Sequence, residues 1–416
     1  MTVHPAEVRA SLARHVQVST LDVVVDLARS QGSQLVDART GEAYLDLLSF
    51  YGSLPLGLNH PALAEPEFVA TLVTAAAHKV TNPDLHTVEY ARFVETFVRV
   101  LGDPALPHLF FIDGGALAVE NALKIAFDWK SRRTGQPALE VMHLRHAFHG
   151  RSGYTMSLTN TDPAVTDRYP AWRWPRLDFR DGLRPAADYL AAHADRVACF
   201  IAEPIQGAGG DNHVDPAFLR GMQELCHRHD VLFVLDEVQT GCGASGTRWT
   251  YEQLGLAPDV VAFGKRTQVC GVMAGRRVDE TGNVFTVPSR LGSTWGGNLA
   301  DMVRATRILE VVERDRLIPR TAALGGYLLE LVQQLGLAHP GLVANPRGRG
   351  LMAAFDLPDA GTRAEFLRRM RVHERVLLLP GGERAVRFRP ALTISRDELA
   401  KGAAAADRVL SGMGAS

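Results

Sequence analysis

Lysine is rare in this chain. Of its 45 basic residues only Lys79, Lys124, Lys130, Lys265 and Lys401 are lysines, and the rest are arginine. Cysteine is rarer still, with four scattered residues, Cys199, Cys226, Cys242 and Cys270, and no CxxC spacing. That excludes a disulfide framework and gives no zinc or other metal site, leaving reduced thiols. Neither sign of charge is in excess: 45 basic residues against 46 acidic ones leave a net charge of −1. Such a balance offers no field for nucleic acid or an acidic membrane, so small molecules or another protein are the expected partners. Apolar runs of membrane-spanning length are missing, as is an apolar export segment near the N-terminus. The expectation is a cytoplasmic protein. Internal repeats and low-complexity linkers are also lacking.

What is present is a large apolar inventory, 46% of 416 residues, enough for a sizeable core and for two or three structural units. Residues 20–48 alternate apolar and polar side chains around Thr40-Gly41, which predicts a β-hairpin. The middle of the chain alternates short apolar runs with amphipathic stretches. The runs "HLFFID" (108–113), "VMHLRHA" (141–147), "VACFIAE" (197–203), "VLFVLDEV" (231–238) and "DVVAFG" (259–264) read as strands. "ALAVENALKIAFDWKSRR" and "PAFLRGMQELCHRH" read as helices between them. Continuous apolar strands separated by helices imply an α/β fold with a mainly parallel sheet covered on both faces. After about residue 299 come long helical patterns, "ADMVRATRILEVVERDRLI" and "AALGGYLLELVQQLG", with the strands "GLMAAFDL" and "AVRFRPALTI". The expected division is a large unit over residues 50–298, and a smaller α+β unit formed by 299–416 with 1–49.

Functional groups of an open α/β sheet gather at the carboxyl ends of its strands, and four features fall there. Gly114-Gly115 lies between a strand and a helix, where amides at a helix start attract an anion and glycine admits it closely. An ordinary turn would look the same. Asp236 ends a buried strand, a costly place for a carboxylate unless a cation or donors meet it. An N-cap or an ion pair would satisfy it, and so would a protonated ring nitrogen. Lys265 ends the next apolar run, where desolvation makes an amine nucleophilic enough for a Schiff base; alone, it could equally snorkel to the surface. Phe148, His149 and Arg151 follow a strand, and an aromatic there either stacks on a planar ring or packs in the core. Together they match what pyridoxal 5′-phosphate requires: a lysine for the aldehyde, a carboxylate for the pyridinium, a helix start for the phosphate.

These segments also resemble a known family. "GGALAVENALK", "AFHGRSGYT", "AEPIQG", "DEVQTGCG", "VAFGK" and "STWGGNL" are similar to motifs of the class III (ornithine/ω-amino acid) aminotransferases of fold type I, above all to its lysine 6-aminotransferases. The similarity runs over nearly the whole chain. It implies a large α/β/α domain built on a seven-stranded type of sheet, a smaller α+β domain, and a homodimer with active sites at its interface. By the same resemblance Gly115 and Ala116 give amides to the phosphate, and Thr294 reaches the phosphate in the partner subunit. Phe148 stacks on the ring, Val238 lies on its other face, Gln239 approaches its hydroxyl and Asp236 pairs with its nitrogen. Lys265 bonds the aldehyde and shuttles the proton, while Arg151 and Arg387 clamp substrate carboxylates. His149 is expected to be structural.

The implied reaction moves the terminal amine of a diamino acid, L-lysine first, to 2-oxoglutarate. Three departures bear on the donor. Ala208 stands where the family usually has a glutamate that masks the arginine at 387. Tyr51 occupies a position that is smaller and apolar in lysine 6-aminotransferases but tyrosine in ornithine aminotransferases. Ala391 replaces a proline in "RFRPAL". A relative acting on ornithine, β-lysine or a biosynthetic intermediate is the alternative, and a non-catalytic scaffold of the same fold is a third reading that the retained Lys265 and Asp236 argue against.

Overall fold

The structure is a computed structural model that describes residues 3–136 and 139–414. Its centre is a seven-stranded sheet. The strands are, in chain order, β1 (His108–Ile112), β2 (Glu140–Leu144), β3 (Arg176–Leu177), β4 (Val197–Ala202), β5 (Leu232–Asp236), β6 (Val260–Phe263) and β7 (Cys270–Ala274). They lie side by side in the order β1-β7-β6-β5-β4-β2-β3. Pairing is parallel from β6 through β5, β4 and β2 to β3, and only β7 is reversed, antiparallel to both β6 and β1.

Alternation along each strand explains why the sheet is covered twice. Phe111, Met142, Phe200, Phe233, Leu235, Val261 and Phe263 point into one core with the helices Val88–Leu101, Pro216–Arg228 and Leu299–Arg314. Their neighbours Ile112, Val141, Ile201, Val234, Val260 and Ala262 point into the opposite core. There the helix Gly115–Thr134 lays Ala118, Ala122 and Ala126, four residues apart, against the sheet. With both faces dry the strands need no polar alternation, which is why they appear in the sequence as unbroken apolar runs.

The predicted hairpin forms between Gln34–Val36 and Ala43–Asp46, and Val376–Leu377 adds to it in parallel. The last third of the chain builds a four-stranded antiparallel sheet, in the order Ala344–Arg349, Met352–Asp356, Ala385–Phe388, Leu379–Gly381. Helices Leu317–Ala338, Ala360–Val372 and Arg396–Gly414 complete this region. Two expectations are corrected. Two strands of the central sheet, β3 and β7, have no counterpart among the predicted strands. The predicted helix "ADMVRATRILEVVERDRLI" stops earlier than expected, at Arg314: Arg316 turns left-handed at φ 50°, and Leu317 and Ile318 already open the second predicted helix, Leu317–Ala338.

Candidate active site

Because β7 alone is reversed, β1, β2, β4, β5 and β6 end at the same edge of the sheet. A cavity of about 590 Å³ opens there, walled by Gly114–Ala116, Phe148–Arg151, Glu203, Ala208, Asp236, Val238, Gln239 and Lys265. The expected phosphate cradle is formed by local geometry. Gly114, at φ 94°, turns the chain out of β1, and the helix begins at Gly115 with no side-chain cap. Its first internal bond is Ala118 N to Gly114 O, 3.1 Å, so the Gly115 and Ala116 amides remain unspent at the cavity wall. A Cβ on Gly115 would stand 2.8 Å from Val238 Cγ1, and one on Gly150, at φ 132°, 2.5 Å from the Ala116 Cβ. The site is built around these missing side chains.

Asp236 is buried at the end of β5. Its Oδ2 meets His149 Nδ1 at 2.8 Å, and its Oδ1 accepts from Val238 N at 3.0 Å. Burial alone would lower the His149 pKa, but the hydrogen bond and charge of Asp236 prevail and hold it above the ordinary histidine value. The His149 Nε2 is buried with no hydrogen-bond partner among the described residues. Sequence reasoning gave His149 a structural role, and its ring is what fixes Asp236.

Lys265 follows β6 after Gly264. It sits at φ 53°, in the left-handed region that costs a β-substituted residue energy and that concentrates at functional positions. Gln268 holds it there, donating from N (2.9 Å) and Nε2 (3.2 Å) to the Lys265 carbonyl. Burial draws the lysine pKa down to about 8, against the pull of Asp236 and Glu203. An amine so placed is available as a nucleophile near neutral pH.

The remaining expected residues are placed less uniformly. Phe148 forms a cavity wall, with the Arg151 guanidinium 5.4 Å from its ring centroid. Gln239 lines the cavity and turns its Oε1 toward Arg389 Nε (3.3 Å) and Arg387 Nη1 (3.5 Å). Arg387 therefore stands behind Gln239, buried, with Nε and Nη2 both donating to Pro380 O at 2.9 and 2.6 Å. Arg389 is ion-paired to the buried Asp211, whereas no carboxylate among the described residues pairs with Arg387. Tyr51 is 58% exposed and lines a neighbouring hollow beside Pro380 rather than the cavity. Thr294 is exposed and outside the cavity wall. Glu203, at the end of β4, was not singled out in the sequence, although it follows its strand just as Asp236 ends β5; its carboxyl lines the cavity and accepts from Phe148 N at 2.9 Å.

A family model described as aminotransferase class-III matches residues 15–410. The L-lysine-epsilon aminotransferase of Amycolatopsis lactamdurans is 56% identical over 95% of this chain and 94% of its own length. That of Mycobacterium tuberculosis is 56% identical over 95% and 93%. A solved lysine aminotransferase from M. tuberculosis superposes with a TM-score of 0.96 at 53% identity, covering 99% of this chain and 100% of that one. An acetylornithine aminotransferase from Elizabethkingia anophelis gives 0.82 at 26% identity, with 99% and 100% covered. With that match spanning nearly every element that walls the cavity, the chain belongs to the class III aminotransferases and is a transaminase.

Proposed function

We propose that this aminotransferase moves the terminal amino group of L-lysine to 2-oxoglutarate with pyridoxal 5′-phosphate as its cofactor. The product from lysine is the 6-semialdehyde, which cyclises to a piperideine carboxylate. One observation carries the cofactor reading: an uncapped helix start, a histidine-fixed carboxylate and a desolvated lysine share a single cavity. The missing Cβ at Gly115 lets Val238 pack against the helix start, which brings the free amides and the Val238 face to the same wall of the cavity. The lysine reading is supported by the names of the relatives that are 56% identical.

When bound, pyridoxal phosphate supplies an aldehyde that takes the amino group and a ring that stabilises negative charge on the carbon losing its proton. The residues of this chain do the rest. Gly115 and Ala116 bind the phosphate through their amides, joined by Thr294 of a second copy in a homodimer. Phe148 and Val238 enclose the ring from its two faces, and Gln239 approaches its hydroxyl. Asp236, fixed by His149, keeps the ring nitrogen protonated. Lys265 would be the residue that holds the aldehyde, and its amine would be the base available at the substrate carbon. Arg151 and Arg387 receive substrate carboxylates, a task suited to the planar guanidinium fork. The site between residues 50 and 298 then belongs to a large domain, with 1–49 and 299–416 forming a smaller one.

The test is a panel of diamines and diamino acids with 2-oxoglutarate, with every product identified. Lysine giving glutamate and the cyclic imine is the expected result. A strong preference for ornithine or for an α-amine would remove the lysine assignment while leaving the transaminase in place.

A further inference from the structure

We propose that Glu203 is the proton acceptor that strips the incoming donor's ammonium of a proton and returns it to the departing product amine. This rests on the transamination reading above. Its starting point is strand register. Ala202 of β4 lies opposite Leu235 of β5 in a parallel pair, so Glu203 and Asp236 emerge side by side at the cavity floor. Two neighbouring buried carboxyls cannot do the same work.

Both oxygens of Asp236 are already held, one by His149 and the other by Val238 N, which fixes it for the ring nitrogen. Glu203 spends only Oε1, on Phe148 N at 2.9 Å, and its Oε2 has no hydrogen-bond partner among the described residues. The charged groups that act on it come from four sides: His149 from the loop after β2, Asp236 from β5, Lys265 from β6, and Arg387 from the four-stranded sheet. Burial raises its pKa to about 7; His149 and Lys265 oppose that rise and Asp236 adds to it. A carboxyl balanced this way exchanges protons at neutral pH.

The reaction needs such a group. A donor amine enters as an ammonium ion, and its nitrogen can attack only after shedding a proton. Lys265, while bonded to the cofactor, has no free amine to take it. In the proposed step an N–H bond of the ammonium breaks, its electron pair stays on nitrogen, and an O–H bond forms on Glu203. In the second half-reaction that O–H bond breaks and the product amine leaves as ammonium, so protons balance over the cycle.

Glu203→Gln tests this, because its amide oxygen still accepts from Phe148 N and its volume is unchanged. In the unmodified enzyme, kcat/KM for the donor should fall by one proton's titration below pH about 7. The variant should lose on the order of 10²-fold at pH 7, within the usual range for a general base. Its profile should lack that limb and recover as pH rises toward the donor's own pKa. Glu203→Asp, which keeps an acid, should keep the limb. A second readout needs no turnover. A folded pKa of about 7 against 4.5 for the free side chain means the cofactor-free wild type loses stability relative to Glu203→Gln as pH rises from 4.5 through 7. An unchanged rate and limb in the glutamine variant, a missing limb in the unmodified enzyme, or a stability difference that is flat with pH would each overturn the proposal. Failure of the unmodified protein to transaminate any amine would instead sink the functional reading, and the stability comparison would still report on Glu203.

Discussion

A buried amine is expensive to keep charged, and Lys265 shows that cost in its pKa of about 8 against an ordinary 10.5. Between those values the unfolded chain holds a proton that the cofactor-free folded chain has lost. Stability therefore rises with pH across that window, and the full cost applies below pH 8. Lys265→Met removes the charge at similar volume. At pH 7 the cofactor-free variant should be more stable than wild type by up to about 3 kcal/mol, the gap closing above pH 10.5, as denaturant unfolding at both pH values would show. It should not transaminate. Asp236→Asn keeps an acceptor for His149 but removes the charge that raises the histidine's pKa. A loss of two to four decades in kcat/KM is expected, typical of electrostatic and acid–base contributions, and near-wild-type turnover would count against the ring-nitrogen role. At this scale Lys265 and Asp236 were legible because a charge ending an apolar run needs a reason. Glu203 was not, nor was the support that His149 gives Asp236, because both depend on what these residues touch across strands.

Elements that end together make the site. The strand ends that wall the cavity converge because one strand, β7, is reversed; it lies between β1 and β6 and leaves those two pointing the same way. Apart from the two-residue edge strand β3, the parallel strands appear as largely apolar runs of four to six residues. β7, "CGVMA", follows Lys265 so closely that it reads as the tail of that motif, and its direction is set by pairing that no local pattern encodes. The two helices were read apart, but their boundary was placed too late, because the arginine that turns left-handed at φ 50° carries no signal of its own while Pro319 stands three residues further on. The helix start at Gly115 was readable, since strand, glycine pair and amphipathic run occur in order. It also gives a sharp test. In Gly115→Val the added Cβ falls 2.8 Å from Val238 Cγ1, and Val238 is a stiff side chain at the cavity wall. The helix should survive, but cofactor affinity measured by reconstitution should drop at least about tenfold, equivalent to 1.4 kcal/mol. Unchanged affinity would mean that the phosphate does not use this helix start.

On the scale of the whole molecule, the site is assembled from distant parts of the chain, and substrate choice depends on how they meet. Arg387 arrives from the four-stranded sheet, and its stem runs so close to Gly381 that a Cβ there would sit 2.9 Å from its Cδ. The next residue, Gly382, donates to the Ala208 carbonyl at 2.8 Å, which ties the 208 loop to the arginine's channel. A longer acid at 208 would thus enter the cavity beside Arg387. As it stands, Arg387 is held by the Pro380 carbonyl and Gln239, neutral acceptors that cannot compete with a substrate carboxylate as another carboxylate would. Tyr51 makes no hydrogen bond to it among the described residues, and its ring is largely in solvent, so it does not mask the arginine within a single chain. If Arg387 receives substrate carboxylates as proposed, an arginine with no carboxylate partner of its own would draw the α-carboxylate of any amino acid and favour presenting the α-amine to the cofactor. Ala208→Glu should counter that bias. It should weaken 2-oxoglutarate binding, relieve inhibition by excess 2-oxoglutarate, and raise the preference for terminal over α-amines. One charged hydrogen bond of about 1–3 kcal/mol corresponds to a change of roughly five- to 150-fold. The measurement is the ratio of kcat/KM for the two kinds of amine, alongside the affinity for 2-oxoglutarate, in wild type and variant. If neither moves, the charge at Arg387 does not govern donor choice, and discrimination must come from the shape of the cavity between Phe148, Val238 and the 208 loop.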